Sequence, residues 1–256
     1  MSRVNQLETT SYNNLWKIRQ FIVDFGVYIA LGILLIFAWI LTPNIYEVDT
    51  IAVVMRQASQ LGIVAIGQTM ILLIAGLDLS VGGAIVLTSV IIAEVSNGRD
   101  DMVLISILIA LGFGVLIGLG NGFLVTKRRV PPLVATLGML VLVQGAQQAY
   151  TRGVPGGFVP DILGIVNQSW GVLSIPLFLW LGLNALFIFI LRGTSYGRKV
   201  YAVGSNIEAA RLSGIAVDRI RISVYIFGTC LAVISGVVLT GYVGYVDRFI
   251  ATGLDL

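Results

Sequence analysis

The sequence contains no histidine and one cysteine, Cys230, in 256 residues. Without histidine, the commonest general base and metal ligand near neutral pH is missing. A lone cysteine excludes an internal disulfide framework, and Cys230 lies in an apolar run, where it reads as a packed thiol. No Cys/His cluster has metal-ligand spacing, and no Gly-x-x-x-x-Gly-Lys-Ser/Thr loop is present to cradle a nucleotide. The chain is therefore expected to carry no catalytic residues, metal or cofactor. Charge is also scarce: Asp, Glu, Lys and Arg make up 11% of the residues, against about 25% in soluble domains. Basic stripes interleaved with aromatics are absent, which argues against nucleic acid as a partner.

What the sequence has is hydrophobic residues, at 57%, with a mean hydropathy of +0.95. Too few polar atoms remain to coat a water-facing globule, so membrane lipid is the expected solvent. A spanning helix needs about 20 mostly apolar residues. Seven runs meet or approach that length, near 24–42, 51–75, 79–97, 102–125, 131–151, 176–192 and 222–245. The fold class that follows is an all-α integral membrane protein, a polytopic bundle of about seven transmembrane helices. Arg56, Gln57, Gln60 and Gln68 interrupt the second run, and the sixth is short. No small-residue cleavage pattern follows the first run, which reads as a retained span rather than a signal peptide.

Basic residues set the expected orientation, because cytoplasmic segments are enriched in Lys and Arg. With the N-terminus cytoplasmic, inside segments hold Arg3, Lys17, Arg19, Lys127, Arg128, Arg129, Arg192, Arg198, Lys199, Arg211, Arg219 and Arg221. Outside segments then keep Arg99, Arg152 and Arg248, and Arg56 falls within a span. The bias survives even if 51–97 is a broken or re-entrant pair, since the chain returns to the same side.

Several polar and small residues stand out against this apolar background. Gly114, Gly118 and Gly122 form two overlapping small-xxx-small steps, which let helix backbones approach closely in lipid. Packing within the bundle and a dimer interface are both open readings of that stripe. Gly76-Leu77-Asp78-Leu79-Ser80-Val81-Gly82-Gly83 breaks two apolar runs, with Asp78 and Ser80 placed to cap a restarting helix. This segment is either a cytoplasmic turn or a break lining a watery pathway. Gln57, Gln60, Gln68, Asn121, Gln144, Gln147 and Gln148 add amides within or near the spans. Amides both donate and accept, which suits a neutral polyhydroxylated solute; hydrogen bonds between helices are the alternative. Arg152-Gly153-Val154-Pro155-Gly156-Gly157 reads as an outer turn.

The longest polar stretch is 193–221. Within it, Ser205 or Asn206 can cap a short helix starting at about Ile207. Glu208 favours the positive end of that helix, and Gly214 ends it. A short amphipathic helix held at the membrane surface fits a groove on another protein.

Three stretches then carry a resemblance: Ala75 to Gly83 (AGLDLSVGG), Asn121 to Leu137 (NGFLVTKRRVPPLVATL) and Gly197 to Ile215 (GRKVYAVGSNIEAARLSGI). In this order they resemble the permease subunits of bacterial ABC importers, specifically the ribose, xylose and galactose-type group. The resemblance covers nearly the whole chain. It implies one permease domain, 1–256, with 193–221 as a cytoplasmic coupling loop. That loop would dock on the ATPase subunit through Ser205, Asn206, Glu208, Ala209, Ala210, Arg211 and Gly214. It further implies import of a pentose- or hexose-like monosaccharide across the bacterial inner membrane. ATP would be hydrolysed on a separate subunit, and a periplasmic or lipid-tethered binding protein would deliver the sugar. A second permease copy or paralogue would complete a dimer. Gln57, Gln60, Gln68, Asp78, Ser80, Asn121, Gln144 and Gln147 are the pathway candidates. A nucleoside or branched-chain amino-acid permease, or an ion-coupled secondary transporter, remains an alternative. Family members typically continue with further spans beyond Leu256, so the resemblance also implies an incomplete C-terminus.

Overall fold

The computed structural model of the protein describes residues 25–153, 157–171 and 173–246. Arg3, Lys17, Arg19, Arg248, Val154, Pro155, Gly156 and the end of the chain lie outside the described residues. Two compact units divide within the first turn of the second helix, one up to Ile51 and the other from Ala52. The described part of the first unit contains an apolar helix, α1 (Phe25–Leu41), and a 3-10 turn. The Tyr46 hydroxyl donates to the Leu35 carbonyl at 2.9 Å, fastening the turn to α1.

The remaining elements are α2 (Val48–Leu73), α3 (Val81–Ser96), α4 (Val103–Thr126), α5 (Pro132–Tyr150), α6 (Asp161–Val166), α7 (Ile175–Gly193), α8 (Ser195–Ser205), α9 (Ile207–Leu212) and α10 (Val217–Val243). A small antiparallel ribbon, β1 (Ser169–Trp170) and β2 (Leu173–Ser174), precedes α7. All seven apolar runs are helical, as expected of an all-α polytopic membrane protein. α2, α4, α5, α7 and α10 are each long and apolar enough to cross a membrane; α1 and α3 are shorter.

α3 is short for a reason visible in its surroundings. Thirteen of its 16 residues are buried, and at 1.5 Å per residue it is roughly 24 Å long. It packs against α4, α5 and α10. A helix apolar on all sides and enclosed by protein is a core helix, and it need not match a hydrocarbon layer of about 30 Å. α10 is the other central helix, with 15 of its 27 residues buried. One apolar core joins Ile63, Met70 and Ile71 of α2 to Val200 and Val203 of α8 and Val224 and Tyr225 of α10. A second gathers Val81 and Ile85 of α3, Ile117 of α4, Val143 of α5 and Leu239 of α10.

The glycine stripe of α4 lies against α10, which settles its role as packing within the chain. A Cβ at Gly118 would fall 2.6 Å from the Ile226 Cα, and one at Gly122 would fall 2.8 Å from the Ile222 Cα. Only a hydrogen at those positions lets the two backbones meet this closely.

The polar stretch 193–221 differs from its expected form. It holds two helices, α8 and α9, and α10 already begins at Val217. In the connection between α5 and α7, α6 is a further helix that the apolar runs do not announce. It packs on α10, where Gly241 lies against Leu163. This connection explains Arg56. Its guanidinium donates to the Asn167 carbonyl at 3.1 Å and sits 5.5 Å from the centre of the Tyr242 ring.

Candidate functional site

The break between α2 and α3 gathers four buried polar residues, Asp78, Ser80, Asn121 and Thr136. α2 ends in a Schellman motif: the Ala75 N–H donates to the Leu72 carbonyl at 2.9 Å and the Gly76 N–H to the Ile71 carbonyl at 2.9 Å. The left-handed residue is Ala75, with φ of 54°, at a cost of about 1–2 kcal/mol for an L-residue. Gly76 serves a different need, because a Cβ there would lie 2.9 Å from the Tyr225 hydroxyl. The glycine next to the break thus provides room, and its neighbour makes the turn.

Asp78 and Ser80 follow, 2% and 0% exposed. Asp78 Oδ1 accepts from the Ser80 N–H at 2.8 Å and from Ser80 Oγ at 2.6 Å. From α4, Asn121 Nδ2 donates to Ser80 Oγ at 2.8 Å and reaches Asp78 Oδ1 at 3.4 Å. Gln68 Nε2 donates to the Asp78 carbonyl at 2.8 Å. Four sequence candidates, Gln68, Asp78, Ser80 and Asn121, therefore converge. Asp78 Oδ2 and Asn121 Oδ1 are buried without a hydrogen-bond partner among the described residues. Such acceptors are costly to leave unmet in a low-dielectric interior. Asp78 thus ties down the turn that leads into α3, in the interior of the bundle, through the N–H and hydroxyl of Ser80, the residue that stands at the N-cap.

Two residues of neighbouring helices close this break. Thr136 of α5 accepts from the Leu79 N–H at 3.1 Å, and Tyr225 of α10 donates to the Leu77 carbonyl at 3.4 Å. Neither was a candidate by sequence. Thr136 is within the Asn121–Leu137 stretch, whereas Tyr225 sits in an apolar run with nothing to mark it.

The other amides are dispersed. Gln147 is buried and donates to the Gly83 carbonyl at 2.9 Å, joining α5 to α3. Gln60 is buried on α2, where its carbonyl accepts from Ser235 Oγ at 3.0 Å while its Nε2 has no partner among the described residues. Gln57 and Gln144 are exposed on the surface of the chain and lie apart from the Asp78 group.

The second assembly is the α8–α9 segment. Of the two cap candidates, Asn206 caps α9, its Oδ1 accepting from the Ala209 N–H at 3.0 Å. Gly214 ends the turn with φ of 78°. Its N–H donates to the Arg211 carbonyl at 3.0 Å, and the Ile215 N–H donates to the Ala210 carbonyl at 3.1 Å. Ala210 is buried beneath α9, while Ser205, Asn206, Glu208, Ala209, Arg211 and Gly214 are exposed. Leu212 is 89% exposed, an apolar side chain that pattern reading passed over. α8 ties this surface to the interior: its backbone at Gly204 lies directly on the Leu73 carbonyl at the end of α2. A side chain at 204 would force α8 away from the break.

Comparison with known proteins adds independent findings. The family model described as branched-chain amino acid transport system / permease component matches residues 50–255. A ribose import permease protein of Haemophilus influenzae is 34% identical over 232 residues, 88% of this chain and 71% of that protein. The ribose import permease protein of Escherichia coli is 34% identical over 235 residues, 89% of this chain and 72% of that protein. A fructose import permease protein of Rhizobium meliloti is 33% identical, covering 84% of this chain and 62% of that protein. No solved structure matches the chain.

Proposed function

From a chain that belongs to the branched-chain amino acid transport system / permease component family, we propose a monosaccharide importer in which the α2–α3 break is worked from outside the membrane by α8 and α9. The chain is a transport subunit and a multi-pass membrane protein. The similar ribose and fructose import permeases favour a pentose or hexose as cargo over a nucleoside or branched-chain amino acid. ATP hydrolysis belongs to a separate ATPase subunit, a sugar-binding protein delivers the cargo, and a second permease copy or paralogue completes the pathway. The N-terminus and the α8–α9 end face the cytoplasm, a reading that the Lys and Arg bias supports.

The observation that carries this reading is the seat of α8 on the end of α2. Glu208, Arg211 and Leu212 present a mixed charged and apolar face to the ATPase, the composition a docked helix uses. Displacement of α9 passes to α8 through the single residue between them, Asn206. From Gly204 it passes to Leu73, and so to the turn that holds Asp78. Rigid helices with close backbone contact transmit such shifts because packed cores do not deform gradually. Along the pathway, Gln68, Asp78, Ser80 and Asn121 supply donors and acceptors that exchange with sugar hydroxyls.

The test is uptake of labelled ribose or fructose by proteoliposomes containing the permease, its ATPase and its binding protein. Uptake that requires ATP is expected. Glu208→Ala and Gly214→Val are expected to insert normally yet lose ATPase co-purification or the link between hydrolysis and uptake. Sugar movement driven by an ion gradient without the ATPase would refute the importer reading.

A further inference from the structure

The three basic residues after α4 each meet a different environment. Lys127 Nζ pairs with Asp218 Oδ2 at 2.5 Å, and the Arg128 guanidinium sits 5.6 Å from the centre of the Phe123 ring. Arg129 has no ion pair among the described residues. Instead it lines a cavity of about 410 Å³ formed by the end of α4, the start of α5, α9 and the start of α10.

The chemistry of this cavity suits an anion. Arg129, Arg211 and Arg221 line it against two carboxylates, Glu208 and Asp218. Asp218 is already held by Lys127 and Arg211, the latter at 3.5 Å. Two donors or acceptors of the wall, Thr126 Oγ1 and Arg221 Nε, are buried without partners among the described residues. Arg129 also keeps a left-handed backbone, with φ of 56°, where glycine would be unstrained. That conformation belongs to the turn that ends α4, where the Val130 N–H donates to the Leu124 carbonyl at 3.1 Å.

The surroundings point to the source of the anion. The cavity opens where membrane helices end, and its remaining wall is apolar, from Val125, Val130, Pro131 and Pro132. α5 begins at this wall and exposes Leu133, Val134 and Leu137 over its next turns. A phosphate in the cavity would leave acyl chains running along that face. Basic pockets between helix ends at the cytoplasmic surface bind anionic headgroups in this way.

We propose that the cavity between α4, α5, α9 and α10 binds the phosphate of an anionic phospholipid headgroup, with Arg129 and Arg221 as its principal ligands. The lipid would thereby brace α9 against the membrane helices. This goes beyond transport and rests on the proposed reading only for the cytoplasmic placement of the α8–α9 end. Loss of sugar uptake with normal lipid retention would count against the transport reading alone.

The experiment is native mass spectrometry of the purified protein, delipidated in detergent and titrated with dioleoylphosphatidylglycerol, dioleoylphosphatidylcholine or inorganic phosphate. Phosphatidylglycerol is expected to bind at least tenfold more tightly than phosphatidylcholine. Arg129→Gly relieves the backbone while removing the cation, so it is expected to fold normally and to lose that tenfold preference. Arg129→Lys, which keeps a charge but not the guanidinium fork, is expected to retain part of it. Equal binding of the two lipids, or an unchanged preference in Arg129→Gly, would overturn the proposal. Inorganic phosphate that displaces the lipid at equal concentration would overturn the lipid as source. Loss of ATPase co-purification in Arg129→Gly with lipid preference intact would assign the cavity to the protein partner instead.

Discussion

Replacing Gly118 with alanine tests the packing on which the bundle depends. The new methyl would lie 2.6 Å from the Ile226 Cα and 2.8 Å from the Tyr225 carbonyl oxygen, both backbone atoms of α10. Backbone cannot rotate away as a side chain can, so α4 and α10 must separate. Overpacking of this kind costs about 1–3 kcal/mol. Alanine returns about 0.5–1 kcal/mol through its better helix propensity, leaving a net loss of up to about 2.5 kcal/mol. Gly112, on the same helix, is the internal control, since a Cβ there meets nothing within 4 Å. Gly112→Ala should therefore keep the propensity gain. At about 2–4 °C per kcal/mol for chains of this size, Gly118→Ala should melt at a lower temperature than wild type and Gly112→Ala at an equal or higher one. Heating detergent-solubilised protein in steps, followed by fluorescence-detected size exclusion, measures both. Equal melting of the two variants would refute the α4–α10 assignment. Normal melting of Gly118→Ala with an altered oligomeric state would assign the stripe to a dimer interface.

Asp78→Asn retains an oxygen to accept from the Ser80 N–H and hydroxyl, whereas Asp78→Ala leaves both donors unmet in the interior. Alanine should cost about 1–3 kcal/mol and asparagine much less, read by the same melting assay; equal losses would refute the role of Asp78 in holding the turn at Ser80. Asn206→Ala removes the α9 cap, worth about 1 kcal/mol, and should weaken ATPase co-purification, while Asn206→Asp should preserve it. Unchanged co-purification in Asn206→Ala would remove α9 from the docking surface.

Much of this architecture was legible because the relevant signals are local or compositional. A run of apolar residues demands lipid or burial wherever it occurs, so the helical runs and the class of protein followed from the sequence. Asn206 and Gly214 mark a helix start and end through their own side chain and backbone freedom, so α9 was also legible. Asp78 and Ser80 were visible because polar residues interrupting apolar runs are costly unless used.

Tertiary structure decided what depended on distant neighbours. Gln60, Gln68, Gln57 and Gln144 look alike in sequence, yet Gln60 is buried, Gln68 is half-buried and bound to the Asp78 carbonyl, and the other two are exposed. Apolar periodicity cannot distinguish lipid from protein as the surrounding medium, so only the fold shows that α3 is enclosed by other helices. The turn before Asp78 needed a left-handed residue and a close approach to Tyr225, and the fold assigned these to Ala75 and Gly76 respectively. Arg129 was one of three adjacent basic residues until the folded chain paired Lys127, stacked Arg128 and left Arg129 facing a cavity. Sequence by itself determined the solvent, the apolar helices and the family; the pairing of helices decided which polar groups meet, because that depends on contacts between residues far apart in the chain.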